Sequence, residues 1–98
     1  MNWLKQFGIT SDTIKELYKR YEPGVIENAL LDQEKLIDVI MFLQENGLKN
    51  LEGVLLNNLT FLFFGKKKIE AMMENDSSVK EAIQKINEDV KYINKLMK

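Results

Sequence analysis

The chain has no cysteine and no histidine, and only one proline and one tryptophan among its 98 residues. Without cysteine there are no disulfides, thiolate zinc sites, iron–sulfur clusters or thiol nucleophiles. Without histidine the usual general base, the Ser-His-Asp arrangement and the commonest transition-metal ligand are gone. No sign of charge dominates either: 14 Lys+Arg face 15 Asp+Glu, a net charge of −1. That balance argues against coating DNA or anionic lipid by bulk electrostatics. Long apolar runs are also missing. The most apolar segment, Val54–Phe64, is broken by two Asn and one Thr and is shorter than the roughly 20 residues a spanning helix needs. The opening MNWLKQFGIT lacks the basic and apolar regions of a signal peptide. The expectation is a soluble cytoplasmic protein that is not an enzyme, with no cofactor, no metal, no membrane association and no small-molecule substrate.

What is present is helical patterning. A chain of this length forms one domain and buries about 60–70% of its unfolded surface. Trp3, Leu4 and Phe7 form a short apolar cluster that stops at Gly8. Thr10 or Ser11 caps a helix carrying Ile14, Leu17, Tyr18 and Tyr21, which must end before Pro23. Val25-Ile26 and Ala29-Leu30-Leu31 predict one or two further turns. Asp32 is placed to cap the strongest helix, about Gln33 to Asn46, in which Leu36, Ile37, Val39, Ile40 and Leu43 form a stripe. Met41 and Phe42 widen that stripe, so the helix is expected to lie buried between neighbours. Gly47 marks its end, and Asn50 caps a helix through Leu51, Val54 and Leu55. Phe61–Phe64 leads to Gly65 and a helix of about Lys66 to Asn75. Ser78-x-x-Glu81 is a capping box. It opens a last helix, about residues 78–97, on which Val79, Ile83, Ile86, Val90, Ile93 and Met97 form a heptad seam.

The order of parts occurs twice. Leu4-x-x-x-Gly8-Ile9 and Leu43-x-x-x-Gly47-Leu48 are 39 residues apart, and each precedes a polar cap and two apolar helices. That period lies in the range of helical repeats. The fold expected is therefore all-α, about seven short helices in a single domain. Two tandem units, about 3–42 and 43–75, are closed by the long C-terminal helix, about 78–97.

Phe42-Leu43-Gln44-Glu45-Asn46-Gly47-Leu48, Tyr21-Glu22-Pro23-Gly24-Val25-Ile26 and Glu34-Lys35-Leu36 resemble the repeat of the mitochondrial transcription termination factor (MTERF) family. The similarity covers about residues 3 to 75. It implies helical units that stack side by side, and an affinity for nucleic acid. It carries over no individual nucleic-acid contact, because the matching positions are packing positions.

Four constellations have chemical potential. Lys66-Lys67-Lys68 follows Gly65 at a predicted helix start, where free amides and positive charge suit a phosphate. The alternative is a solvated run paired with Glu70 at i+4 and i+3. The Val79–Met97 seam either caps the second unit or pairs with a second chain. Asp12/Glu16, Glu34/Asp38 and Glu70/Glu74 are carboxylates one turn apart, a spacing open to acid–base or Mg²⁺ chemistry but read here as solvated helix faces. Phe61, Phe63 and Phe64 are read as core before base-stacking platform. The leading functional expectation is a small interaction module that binds a protein partner or forms a homodimer. The alternative is nucleic-acid binding through Lys66, Lys67 and Lys68, joined by Lys80, Lys85, Lys91 and Lys95. The first 49 residues carry six basic and eight acidic groups and the last 49 carry eight and seven, so any basic patch is local.

Overall fold

Thr10 fixes the start of the first α-helix: its side-chain oxygen accepts from the Thr13 amide at 3.2 Å. The same device recurs at Asn50, which accepts from Gly53 N–H at 3.1 Å, and at Ser78, which accepts from Glu81 N–H at 3.2 Å. The computed structural model, which describes residues 1–98, contains only helix: seven α-helices, two 3-10 helices and no strand. A 3-10 segment, Asn2–Phe7, leads into α1 (Ser11–Arg20), α2 (Pro23–Leu31), α3 (Gln33–Glu45) and α4 (Leu51–Asn58). A second 3-10 segment, Leu59–Phe64, precedes α5 (Lys66–Asp76), α6 (Val79–Glu88) and α7 (Tyr92–Leu96).

The two Gly-apolar pairs stop their helices in the same way. Gly8 and Gly47 take φ of 86° and 102°, a region closed to most L residues. Leu48 N–H reaches Leu43 C=O at 2.9 Å and Gly47 N–H reaches Gln44 C=O at 3.1 Å, the pair of bonds of a Schellman motif. Around Gly8 the equivalent bonds are Ile9 to Leu4, 3.4 Å, and Gly8 to Lys5, 3.1 Å. Leu4, Ile9, Leu43 and Leu48 are all buried, so each stop also seats an apolar pair in the core.

α1 lies along α4, while the second 3-10 segment sits beneath α3, α4 and α5. α6 and α7 both pack on α5. One cluster of 26 buried apolar residues runs through the whole chain, so no boundary divides the chain into separately packed parts. Its largest fully buried side chains include Phe61, Leu36, Ile40, Leu43, Leu55, Ile69 and Met73. The radius of gyration is 12.7 Å, with extents of 34 × 21 × 21 Å. A compact chain of this length should give about 13 Å, so the molecule is a globule, not an arc of stacked units.

Three expectations need correction. The C-terminal helix is not continuous: it stops at Glu88, and α7 begins only at Tyr92. Asn87 and Asp89 are weak continuations of a helix, Asp89 is extended (φ −153°, ψ 110°), and its carboxylate accepts from Lys91 N–H at 3.0 Å. The break turns the last turns back, so that Ile93 and Leu96, not Met97, reach the core. Second, α3 is not enclosed: Met41 is 48% exposed and Ile37 is half-buried, because nothing packs on that side of the helix. Third, the segment after Pro23 is a nine-residue helix, with Pro23 in its first turn where a missing N–H is harmless. Asp32 occupies the cap position of α3, yet its side chain makes no capping bond.

Candidate functional site

Two surfaces emerge, one basic and one apolar with an acidic border. The basic one is built at the start of α5. Gly65, at φ 85° and ψ 162°, supplies no side-chain cap, which leaves the first amides of α5 facing outward. Lys66, Lys67 and Lys68 are all exposed there. The expected pairing with Glu70 does not form within 4 Å; the molecule's one ion pair is Lys85–Asp76, 3.8 Å apart on the surface. The Lys66 ammonium lies 5.6 Å from the centre of the Phe42 ring, and Lys68 lies 5.0 Å from that of Phe64. Both are cation–π distances, and they hold two of the three lysines along the protein wall. Lys35 joins them from α3, its Cε 3.0 Å from where a Cβ on Gly65 would stand. A shallow depression of about 670 Å³ is lined by Lys35, Asp38, Phe64, Lys66, Lys67 and Glu70 among others, so two carboxylates share the basic site. Lys35 lies some 30 positions away in the chain, and no sequence signal tied it to the run.

The apolar surface lies on the outer side of α2 and α3. Leu31 ends α2 and is 81% exposed, the most exposed large apolar side chain in the protein. Leu31 and Ile37 line one depression with Asp32, Gln33, Glu34 and Lys35. Met41 stands one turn beyond Ile37, at i+4 on the same face. Carboxylates border this strip throughout: Glu27, Asp32, Glu34, Asp38 and Glu45 are exposed, and none has a cation within 4 Å. The signal was present in the sequence, because residues 21–48 hold six carboxylates (Glu22 with these five) and one lysine. Over the whole first half of the chain Lys5, Lys15, Lys19, Arg20 and Lys49 offset it.

The other predicted residues fall as follows. Of the seam, Ile83, Ile86 and Ile93 are buried within the single chain, Val79 and Val90 are half-buried, and Met97 is 37% exposed. Lys85, Lys91 and Lys95 line a depression with Glu88, Asp89 and Tyr92, while Lys80 stands apart beside Asn46, Gly47 and Asn87. The hydroxyl of Tyr92 donates to the Asp76 carboxylate, and Lys85 lies 3.4 Å from that hydroxyl, so these lysines are not a free basic stripe. The three carboxylate pairs stay on exposed or half-exposed helix faces. No three His, Cys, Asp or Glu converge on a point that could hold a metal ion. Phe61 is fully buried, with Phe64 edge-on to it at 6.3 Å and 38% exposed.

Two side chains whose hydrogen-bond partners the sequence does not reveal tie the fold together. Tyr21 sends its hydroxyl into the junction of α4 and the second 3-10 segment. It donates to Leu55 C=O at 2.7 Å and accepts from Leu59 N–H at 3.0 Å. Burial pushes the phenol above its ordinary value near 10, against the opposing pull of the Leu59 amide and of Arg20. Asn87 of α6 clamps the turn before α4: its Oδ1 accepts from Lys49 N–H (2.7 Å) and Asn50 N–H (3.3 Å), and its Nδ2 donates to Gly47 C=O (2.9 Å).

No family model, no curated protein and no solved structure matches the chain. No helix is long and apolar enough to cross a membrane.

Proposed function

We propose that the protein is a non-enzymatic interaction module that binds a protein partner through the outer face of α2 and α3. The observation that carries this reading is the strip of exposed Leu31 and Met41 with half-buried Ile37; no other large apolar side chain is as exposed as those two. Leu31 at 81% and Met41 at 48% exposure leave apolar area in water. Full burial of such side chains contributes about 1.5–3 kcal/mol each. In this reading the two Gly-stopped units, akin to the MTERF-like repeats, serve as a scaffold that presents α3. A photo-crosslinking residue at position 41, compared with one at exposed Lys15 on α1, tests it. A discrete adduct from position 41 that is lost in Leu31→Asp and absent from position 15 supports the module. Equal adducts from both positions, or none, refute it; an adduct at twice the chain mass identifies the partner as a second copy.

A second reading, nucleic-acid contact through Lys66, Lys67 and Lys68, is favoured by Lys35 joining that run across the fold. Asp38 and Glu70 in the same depression weaken it. Titration of fluorescent DNA and RNA at two salt concentrations decides: salt-sensitive binding lost in a Lys66/Lys67/Lys68→Ala variant supports it, and no binding at low salt refutes it.

A further inference from the structure

The carboxylates around the apolar strip restrict what can occupy it. Glu27 precedes Leu31 by one turn of α2, Asp32 and Glu34 line the depression that holds Leu31 and Ile37, and Asp38 and Glu45 flank Met41 at i−3 and i+4 along α3. Glu34 and Asp38 are themselves one turn apart, a like-charge spacing that destabilises a helix. None of the five meets a cation within 4 Å. The one lysine of this region, Lys35, lines the depression of Leu31 and Ile37 as well and extends to Gly65 at the start of α5, where Asp38 shares a second depression with Lys35, Lys66 and Lys67. The strip is thus a local concentration of negative charge on a chain whose net charge is only −1. A nucleic acid or an anionic bilayer would be repelled from it, and an acidic protein segment would meet like charges at every edge of the contact.

Resting on the interaction-module reading, we infer that the partner presents a basic amphipathic segment, most simply a helix. Its apolar residues lie against Leu31, Ile37 and Met41 while its lysines or arginines meet Glu27, Asp32, Glu34, Asp38 and Glu45. The geometry suits a helix laid along α3. Ile37 and Met41 are spaced one turn apart, the spacing with which an i, i+4 pair on a partner helix can interdigitate. Complementary charge along the contact fixes the register of such a helix and raises its rate of encounter.

The test uses the intact ¹⁵N-labelled chain and two synthetic helical peptides with the same leucine face, one with lysine and the other with glutamate on the polar face. Amide shifts are followed at 50 and 300 mM NaCl. The lysine peptide is expected to shift amides within residues 27–45, with affinity at least tenfold weaker at the higher salt. Glu34→Lys with Asp38→Lys should weaken it at least tenfold and Leu31→Gln with Met41→Gln at least fivefold, while the remote Lys15→Glu changes it less than twofold. Equal binding of the glutamate peptide, or binding unchanged by the charge reversals, overturns the basic-partner inference and leaves the module reading standing. Shifts of the same amides by duplex DNA, by phosphatidylserine vesicles or by raising the concentration of the protein alone overturn it too, in favour of those occupants. If neither peptide shifts residues 27–45, the inference fails whatever the crosslinking gives; the module reading falls with it only if position 41 also yields no adduct.

Discussion

Replacing Tyr21 with phenylalanine removes one oxygen atom and two hydrogen bonds. The hydroxyl stands between Leu55 C=O and Leu59 N–H, the two groups that would bond directly if α4 continued for another residue. Its insertion accounts for the end of α4 at Asn58 and the change to 3-10 geometry that carries Phe61 and Leu62 into the core. In the variant both groups are left in residues only 1% exposed, where water does not replace the lost partner. Direct closure is opposed by Asn58, whose φ of −146° and ψ of 48° lie outside the helical region. Each buried group deprived of its partner costs about 1–3 kcal/mol, so the loss of the two should be about 2–6 kcal/mol. For a domain of this size a 2 kcal/mol loss lowers Tm by about 8–16 °C. Urea unfolding followed by circular dichroism gives the free energy, and amide exchange at Leu59 gives its location. A loss below about 0.5 kcal/mol with unchanged exchange at Leu59 would refute the insertion argument.

The same residue has a pH signature. Tyr21 is neutral when protonated, and burial raises its folded pKa above its unfolded value near 10. The folded state therefore holds its proton more tightly. The stability this contributes is fully present below pH 10 and is lost as pH rises through the raised folded value. Tyr21→Phe should flatten that alkaline decline relative to the wild type. Parallel stability profiles between pH 9 and 11 would show that the phenol carries no such linkage.

Asn87→Ala removes all three bonds to the Gly47–Asn50 turn and should lower stability by about 1–2 kcal/mol, given partial exposure. Faster amide exchange at Lys49 and Asn50 should accompany it. Gly47→Ala meets open space but forces an L side chain to φ 102°, a strain of about 1–2 kcal/mol, measurable as a lower urea midpoint with an unchanged slope. Ile86→Ala, at 1% exposure, should cost about 2–5 kcal/mol, whereas Met97→Lys on the same heptad seam should stay within about 0.5 kcal/mol. Similar effects at the two positions would mean that the seam is not divided as the broken C-terminal helix requires.

Helix ends were the most readable part of this chain, because capping depends on residues adjacent in sequence. Thr10, Asn50, Ser78, Gly8 and Gly47 all act where local chemistry places them. The break between α6 and α7 was not readable from periodicity. Val79, Ile83, Ile86, Val90, Ile93 and Met97 keep a heptad spacing straight through it, and no glycine or proline marks it. The only local signs are Asn87 and Asp89, and Asn87 is occupied with a turn nearly 40 positions away. Tyr21 illustrates the same limit. Its spacing put it on an apolar stripe, but its role comes from the hydroxyl, and buried tyrosine oxygens need a partner that spacing cannot name.

The candidate surface was hidden for a related reason. Met41 and Phe42 made α3 apolar on most sides, and an apolar circumference is ordinarily the mark of a helix surrounded by others. In a chain of 98 residues there are too few other helices to surround it. α3 packs on α2, on the second 3-10 segment and on α5, which covers Leu36, Val39, Ile40, Phe42 and Leu43 and leaves Ile37 half-buried and Met41 outside. The hydrophobic pattern counted positions correctly but had no measure of how many neighbours the rest of the chain could supply. An apolar position in excess of those neighbours requires water or a partner. The five unpaired carboxylates beside it make the second alternative chemically specific.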